Sequence, residues 1–274
     1  MSKRIARDLN AIAADALSSL ASHRQIPAFS RSPSGLDVAE AYRVTALIRA
    51  AFEARGEKIT GRKIGFTNRQ MWAAHGVQAP IWGYCTNRTT HTLEATPVQC
   101  VADFAEPRIE PEIVFGLSKA PSPNMDESEL LDCIDWIALG YEIVQSIFPG
   151  WKFGASDTIA ANALHGALLV GNRHAMAPHS QAWQRELASF TIELHCDGKL
   201  TQTGGGAFVL NSPLLALRHL VGLLANDPHN PPLRAGEIIS TGTLTLAMPV
   251  HAGEIWTTRV RGIRLEDIEL RLEA

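Results

Sequence analysis

The sequence predicts an α+β protein: a helical N-terminal part followed by a mixed, β-rich remainder. Apolar residues recur at helical spacing through roughly the first 55 positions. After about residue 90 short β-branched and aromatic runs alternate with Gly and Pro. The 274 residues, 46% of them hydrophobic, suffice for one large core or a core with an appended cap. The expected division is a helical cap or subdomain over 1–90 and a β-rich domain over 91–274.

Residues 4–22 place Ile5, Leu9, Ile12 and Leu20 near one helical face. Two prolines make Arg24–Ser34 a loop. A second helix is expected from about Leu36 to Arg55, with Asp37 and Glu40 as a capping box, Gly56 at its end, and Val38, Tyr42, Thr45, Ile48 and Phe52 facing inward. A short strand or turn falls around Gly61–Thr67. Further strands are read at Ile113–Leu117, Ala167–Val170, Phe190–His195, Ile238–Thr241, Thr257–Val260 and Ile268–Leu272, with Asp197-Gly198 as a hairpin turn. Helices are expected over Glu127–Trp136 and from Ser212-Pro213 to about Ala225, the latter with proline at its first position.

The net charge of -3 gives no basic footprint for nucleic acid. No apolar run reaches the roughly 18 residues of a membrane span. The N-terminal stretch lacks the unbroken apolar core of a signal peptide, and the four cysteines (Cys85, Cys100, Cys133, Cys196) have no paired spacing. A cytoplasmic protein with reduced thiols is the expectation.

Chemistry is concentrated in Pro107-Arg108-Ile109-Glu110-Pro111-Glu112-Ile113. On a strand, Glu110 and Glu112 point to one face and Ile109 and Ile113 to the other. Adjacent carboxylates raise each other's pKa, and a cation between them removes that penalty. Oxygen-only ligands favour Mg²⁺ or Mn²⁺ over zinc. The alternative is a solvated strand face. Glu142, a lone acid in the apolar run Leu139–Val144, is the next carboxylate to join them or else an edge position facing water. Lys63, flanked by Gly61 and Gly65, could hold a carboxylate or move a proton, or could be a surface lysine beside a turn. Asp157 could cap a helix or support the site, and His165 could carry a proton or be a satisfied core histidine. Gly204-Gly205-Gly206 and Ser240-Thr241-Gly242-Thr243 offer anion-binding backbone or hydroxyl groups, or ordinary turn chemistry. No nucleophile elbow, Walker loop or dinucleotide fingerprint is present.

Taken in order, these blocks resemble the hydratase/decarboxylase branch of the fumarylacetoacetate hydrolase superfamily, along nearly the whole chain: Gly61–Thr67, Gly76–Gly83, Pro107–Leu117, Ala138–Val144, Asp157–Gly171, Gly204–Leu217 and Leu233–Gly242. The resemblance implies a mixed β-fold of rolled sheets or barrel type with one Mg²⁺ or Mn²⁺ held by Glu110, Glu112 and Glu142, and Lys63 as the active-site lysine. It implies a metal-dependent lyase on a small 2-oxo acid from aromatic-compound catabolism. Hydration of a 2-hydroxydienoate comes first and decarboxylation of a 4-oxalocrotonate-like diacid next. Further alternatives are C–C hydrolysis of an acylpyruvate and a non-catalytic member that binds an organic acid or supports a partner enzyme. A homo-oligomer is expected. The chain departs from the hydratase pattern Pro-Asp-Phe-Gly at Pro80-Ile81-Trp82-Gly83, which leans toward decarboxylases. It also departs at Ala160-Ala161-Asn162-Ala163-Leu164, where an acid and a hydroxyl are lost beside His165, the expected replacement proton carrier. Arg62, Arg69, Trp82, Gly205, Thr241 and Gly242 are the candidate substrate contacts.

Overall fold

A computed structural model describes residues 8–69, 72, 77, 79–177 and 179–274. Six helices are used below: α1 (Leu9–Ser22), α2 (Val38–Ala54), α3 (Glu127–Leu131), α4 (Ala155–Ala160), α5 (Ser180–Ser189) and α6 (Pro213–Ala225). The strands are β1 (Ile59–Gly65), β2 (Ile81–Thr86), β3 (Thr90–Thr92), β4 (Val98–Cys100), β5 (Arg108–Leu117), β6 (Ile134–Val144), β7 (His165–Val170), β8 (His174–Ala175), β9 (Thr191–Cys196), β10 (Lys199–Gly205), β11 (Ile238–Thr243), β12 (Met248–Pro249), β13 (Ile255–Arg261) and β14 (Ile268–Glu273).

Two mixed sheets carry the fold. The larger runs β2-β1-β11-β5-β6-β7-β3, with β12 on β5 and β8 on β6, as a curled half-barrel; the smaller runs β10-β9-β13-β14-β4. The main core takes Ile109, Ile113 and Phe115 from β5, Ile137, Leu139 and Tyr141 from β6, and Trp256 and Leu270 from the smaller sheet. The isoleucines that flank Glu110 and Glu112 are thus fully buried, on the face expected from strand alternation. A second core packs α1 and α2 on Ile147, Phe148, Ile159 and Leu164.

Sequence signals are realised closely at several ends. Asp8 caps α1, Asp37 and Glu40 form the reciprocal box on α2, and Ser212 caps α6 with Pro213 next. Asp197 and Gly198 take positive φ in the β9–β10 turn. Residues 206–225 are long and apolar enough by composition to cross a membrane, but Leu214, Leu217, Leu220 and Leu224 are buried in the main core.

Three expectations need correction. The boundary near residue 90 is not structural, because β1 and β2 are strands of the large sheet and β1 pairs in parallel with β11. The helix read over Glu127–Trp136 stops at Leu131. Ile134, Trp136 and Ile137 enter β6, where cross-strand pairing with β5 overrides local propensity. Val38 is exposed, since the cap turns the first position of α2 outward, and Ala41, Val44, Thr45 and Ile48 form the buried face. Strands β2 and β6 lacked a clear period-two pattern because both are buried almost throughout. Ile5 and Gly76 lie outside the described residues.

Candidate active site and metal centre

The three glutamates meet because of sheet register. Glu110 on β5 is the direct partner of Glu142 on β6, and Glu112 sits opposite Gly140. One carboxylate oxygen from each of Glu110, Glu112 and Glu142 lies within 4.8 Å of the others. Glu112 and Glu142 are fully buried, and Glu110 is half-buried.

Glu112 is oriented by the neighbouring strand. The Ser240 hydroxyl and the Gly242 N–H both donate to its Oε2, the latter at 2.8 Å. A bulge in β11 between Ser240 and Thr243 makes this possible by turning the Gly242 backbone, at φ 104, away from the ladder. A Cβ at Gly242 would lie 2.1 Å from Thr67 Oγ1. Glu112 Oε1 is left buried with no hydrogen-bond partner.

Glu142 is held from two sides. His165 Nδ1–H donates to Oε1 at 2.7 Å, and the ring's Nε2 lies 2.9 Å from Thr89 Oγ1. The Lys63 ammonium lies 3.1 Å from Oε2; this is an ion pair rather than a well-aligned hydrogen bond. Lys63 also donates to the Ala163 carbonyl at 3.1 Å. That carbonyl is aimed by three successive left-handed residues, Asn162, Ala163 and Leu164. Asn162 locks the turn by bonding both backbone groups of Tyr84. Gly83, the partner of Lys63 on β2, leaves room for it: a Cβ there would lie 2.4 Å from the Asn162 carbonyl.

The electrostatics follow. Burial raises Glu110, Lys63 opposes and Glu142 adds to the rise, and its pKa is pushed up to about 7. Burial, then Glu142 and Glu110, put Glu112 well above the usual carboxylate range. Burial would raise Glu142 too, but Lys63 and His165 outweigh it and hold Glu142 low. Burial pulls Lys63 down, and the three carboxylates more than restore it, Glu142 most. His165 is pushed up to about 10: burial opposes, while Cys85 and Glu142 favour the charged ring. The orphaned oxygen, the all-oxygen donor set and the mutual repulsion all fit a hard divalent cation.

Above the carboxylates lies a cavity of about 230 Å³. Its walls include Lys63, Phe66, Ile81, Arg108, Glu110, Trp151, Phe153, Leu164, Thr243 and Leu246. The structure therefore brings together Lys63, Glu110, Glu112, Glu142 and Gly242 from the sequence-derived set. Ile81, at the position of the missing acid, is also in the wall.

Other candidates stand elsewhere. Arg62 follows strand alternation to the face opposite Lys63, where it pairs with Glu237 at 2.8 Å and stacks on Tyr84. Trp82 is buried on that same face against Tyr42. Asp157 has both oxygens occupied by the Ser30 N–H, the Ser30 hydroxyl and the Gly154 N–H, so it ties residue 30 to the start of α4. Gly205 is there for close packing, since a Cβ would lie 2.1 Å from the Phe190 carbonyl. Thr241 donates to the Ile113 carbonyl. Arg69 is exposed and is not in the cavity wall. His165 lies behind Glu142 and does not line the cavity, so it positions Glu142 rather than meeting a ligand. Arg108 and Trp151 were missed. The alternation that pairs Glu110 with Glu112 places Arg108 on the same face, which was the available signal. Trp151 arrives from a distant turn and left none.

The family described as fumarylacetoacetate (FAA) hydrolase C-terminal matches residues 58–266. The chain is 30% identical over 240 residues to 4-oxalocrotonate decarboxylase of Pseudomonas sp. (strain CF600), 87% of each chain. It is 28% identical over 229 residues to 2-hydroxyhexa-2,4-dienoate hydratase of Comamonas testosteroni, covering 83% of this chain and 84% of the relative. The solved 4-oxalocrotonate decarboxylase of Pseudomonas putida G7, complexed with magnesium and adipate, matches with TM-score 0.86 at 26% identity, over 96% of this chain and 97% of that one.

Proposed function

Because the chain belongs to the fumarylacetoacetate hydrolase family, we propose that it is a divalent-metal-dependent lyase acting on a small 2-oxo acid, with decarboxylation as its reaction. The observation that carries the reaction type is the composition of the cavity wall. Among its described residues only Lys63, Arg108 and Glu110 ionise, and Ile81 stands in the wall at the position where the hydratase pattern Pro-Asp-Phe-Gly carries its acid. Adding water to a carbon–carbon double bond needs a proton donor and acceptor near that bond. Losing CO₂ needs chiefly an electron sink at the keto end.

Glu110, Glu112 and Glu142 would hold Mg²⁺ or Mn²⁺, which supplies Lewis-acid polarisation to a 2-oxo carboxylate group. Ser240 and Gly242 keep Glu112 aimed at the centre, and His165 does the same for Glu142. The Lys63 ammonium, fixed between Glu142 and the Ala163 carbonyl, stabilises negative charge gathering on the keto oxygen or exchanges a proton with the adjacent carbon. Phe66, Trp151, Phe153 and Leu246 give the cavity apolar walls, and a bound ligand that displaces water from them would strengthen both effects. As a carboxylate leaves as CO₂, the electron pair of its C–C bond delocalises toward the 2-oxo group beside Lys63.

Hydration is the second reading, favoured by the similarity to the Comamonas hydratase. The deciding experiment follows 4-oxalocrotonate and 2-hydroxypenta-2,4-dienoate with Mg²⁺ and with chelator, recording absorbance and CO₂ in parallel. Metal-dependent gas release supports decarboxylation. Water addition without gas replaces it by hydration, and turnover insensitive to chelation overturns the metal-dependent reading. The mode of self-association, and a complex with a partner pathway enzyme, belong to the same proposal and are tested by light scattering and co-purification.

A further inference from the structure

The strand that supplies Glu110 and Glu112 carries a third charged side chain on the same face. Arg108, Glu110 and Glu112 are spaced two apart on β5. They run from closed to open, with Glu112 fully buried and both Glu110 and Arg108 half-buried. Arg108 and Glu110 both line the cavity.

The Arg108 guanidinium is held flat. Its central carbon lies 4.0 Å from the centroid of the Trp151 ring. Trp151 is fixed in turn by its indole N–H, which donates to the Glu106 carbonyl at 3.1 Å. Stacking occupies the face of the guanidinium and leaves its N–H edge for a planar acceptor. Among the described residues no carboxylate lies within ion-pair distance of Arg108. Glu106, which is nearby, instead accepts from Gln25 and from the Gly150 N–H through Oε1. Lys63, the other cation of the wall, is already engaged by Glu142.

We propose that Arg108, laid on Trp151, is the specificity-determining residue that reads a second carboxylate at the far end of a 2-oxo acid, so that the site selects 2-oxo diacids over monoacids. This rests on the keto-acid reading above. Two residues of strand span about 6–7 Å, close to the separation of the two carboxylates in an extended diacid of about six carbons. A ligand with its 2-oxo end over the glutamates and its chain along β5 therefore brings its far end to Arg108. The contact is made in the ground state. If the far carboxylate leaves as CO₂ its charge flows away toward the keto end, so the contact weakens as the bond breaks; Arg108 tightens binding of the diacid, lowering KM, at some cost in kcat.

The test is calorimetric binding with Mg²⁺ of three unreactive probes: pyruvate, 2-oxohexanoate and 2-oxoadipate. Wild type is compared with Arg108→Gln and Arg108→Lys, and melting temperatures confirm folding. Wild type is expected to bind 2-oxoadipate at least about tenfold more tightly than 2-oxohexanoate, the usual scale of a charge-assisted bidentate contact. Arg108→Gln brings that ratio within about threefold, and Arg108→Lys, which keeps the charge without the fork, restores part of it. An unchanged ratio in Arg108→Gln overturns the assignment. So does a loss of pyruvate affinity equal to that of 2-oxoadipate, which would put the guanidinium on the head carboxylate. A wild type that binds pyruvate but does not distinguish the two six-carbon acids overturns this assignment alone. A wild type that binds no pyruvate with Mg²⁺ overturns the keto-acid reading and this inference with it.

Discussion

Glu110 and Glu142 are direct cross-strand partners on β5 and β6, two acids placed opposite each other in a low-dielectric site. Like charges so placed are destabilising, yet the register of β5 against β6 holds the two acids opposite each other. Lys63 answers only part of the charge, and the orphaned oxygen of Glu112 marks where the rest is to be answered.

Stability should therefore depend on pH and metal together. Glu110, pushed up to about 7, and Glu112, raised well above the usual carboxylate range by burial and its neighbours, bind protons more tightly folded than unfolded. Stability from this pair is lost as pH rises from the unfolded value near 4.5 through about 7, while Glu142, held low, acts in the opposite sense below 4.5. Metal binds the ionised forms and releases protons. Melting curves with chelator and with Mg²⁺ at roughly pH 5.5 and pH 8 should show the larger metal-induced rise at the higher pH. At a hundredfold excess over Kd that rise corresponds to about 2.7 kcal/mol. Equal rises at both values would count against buried, protonated carboxylates.

Removing the orienting groups of Glu112 should weaken metal binding without abolishing the fold. Ser240→Ala deletes one donor to Oε2, and a loss of about 10–100-fold in Mg²⁺ affinity is expected. Glu112→Gln removes the ligand itself and should cost more than Ser240→Ala. Calorimetric titration of both variants gives the order directly.

His165 offers a sharp distinction between positioning and proton transfer. It touches Glu142 and Thr89 and does not reach the cavity. His165→Gln should weaken metal affinity by about 10–100-fold, yet turnover at saturating metal should fall by less than about tenfold. A proton carrier would lose roughly 10²–10⁴-fold in turnover whatever the metal concentration. Titrating Mg²⁺ in the rate assay separates the two.

Lys63 should behave as a group whose charge depends on its neighbours. Burial pulls its pKa down and the carboxylates hold it up, Glu142 most. A divalent cation on the same carboxylates cancels much of that support, so the lysine should titrate lower in the metal-loaded protein than in the metal-free one. Lysine-specific labelling or NMR titration with and without Mg²⁺ checks the direction. Lys63→Met should lower turnover by about 10²–10⁴-fold while Mg²⁺ still binds.

Gly242→Ala tests the β11 bulge. The new Cβ meets Thr67 at a residue with φ 104. Destabilisation of about 1–3 kcal/mol is expected from the strained backbone alone, with more from the clash. Chemical denaturation measures it, and Mg²⁺ affinity should fall alongside because the N–H that holds Glu112 moves.

The sequence by itself determined what local rules encode. Alternation on one strand aimed Glu110 and Glu112 together and buried Ile109 and Ile113, and side-chain caps set the starts of α2 and α6. The same alternation also carried Arg108, had it been followed one step further back. Tertiary structure alone decided which distant strands meet. Register placed Glu142 opposite Glu110, parallel pairing with β11 drew β1 and Lys63 into the large sheet, and the Asn162–Leu164 turn fixed Lys63 through a backbone carbonyl. It also turned Arg62, Trp82, Asp157 and Gly205 to packing and capping. The physical reason is range. Periodicity and caps act within a few residues, whereas strand pairing and close backbone approach depend on contacts between segments far apart in the chain.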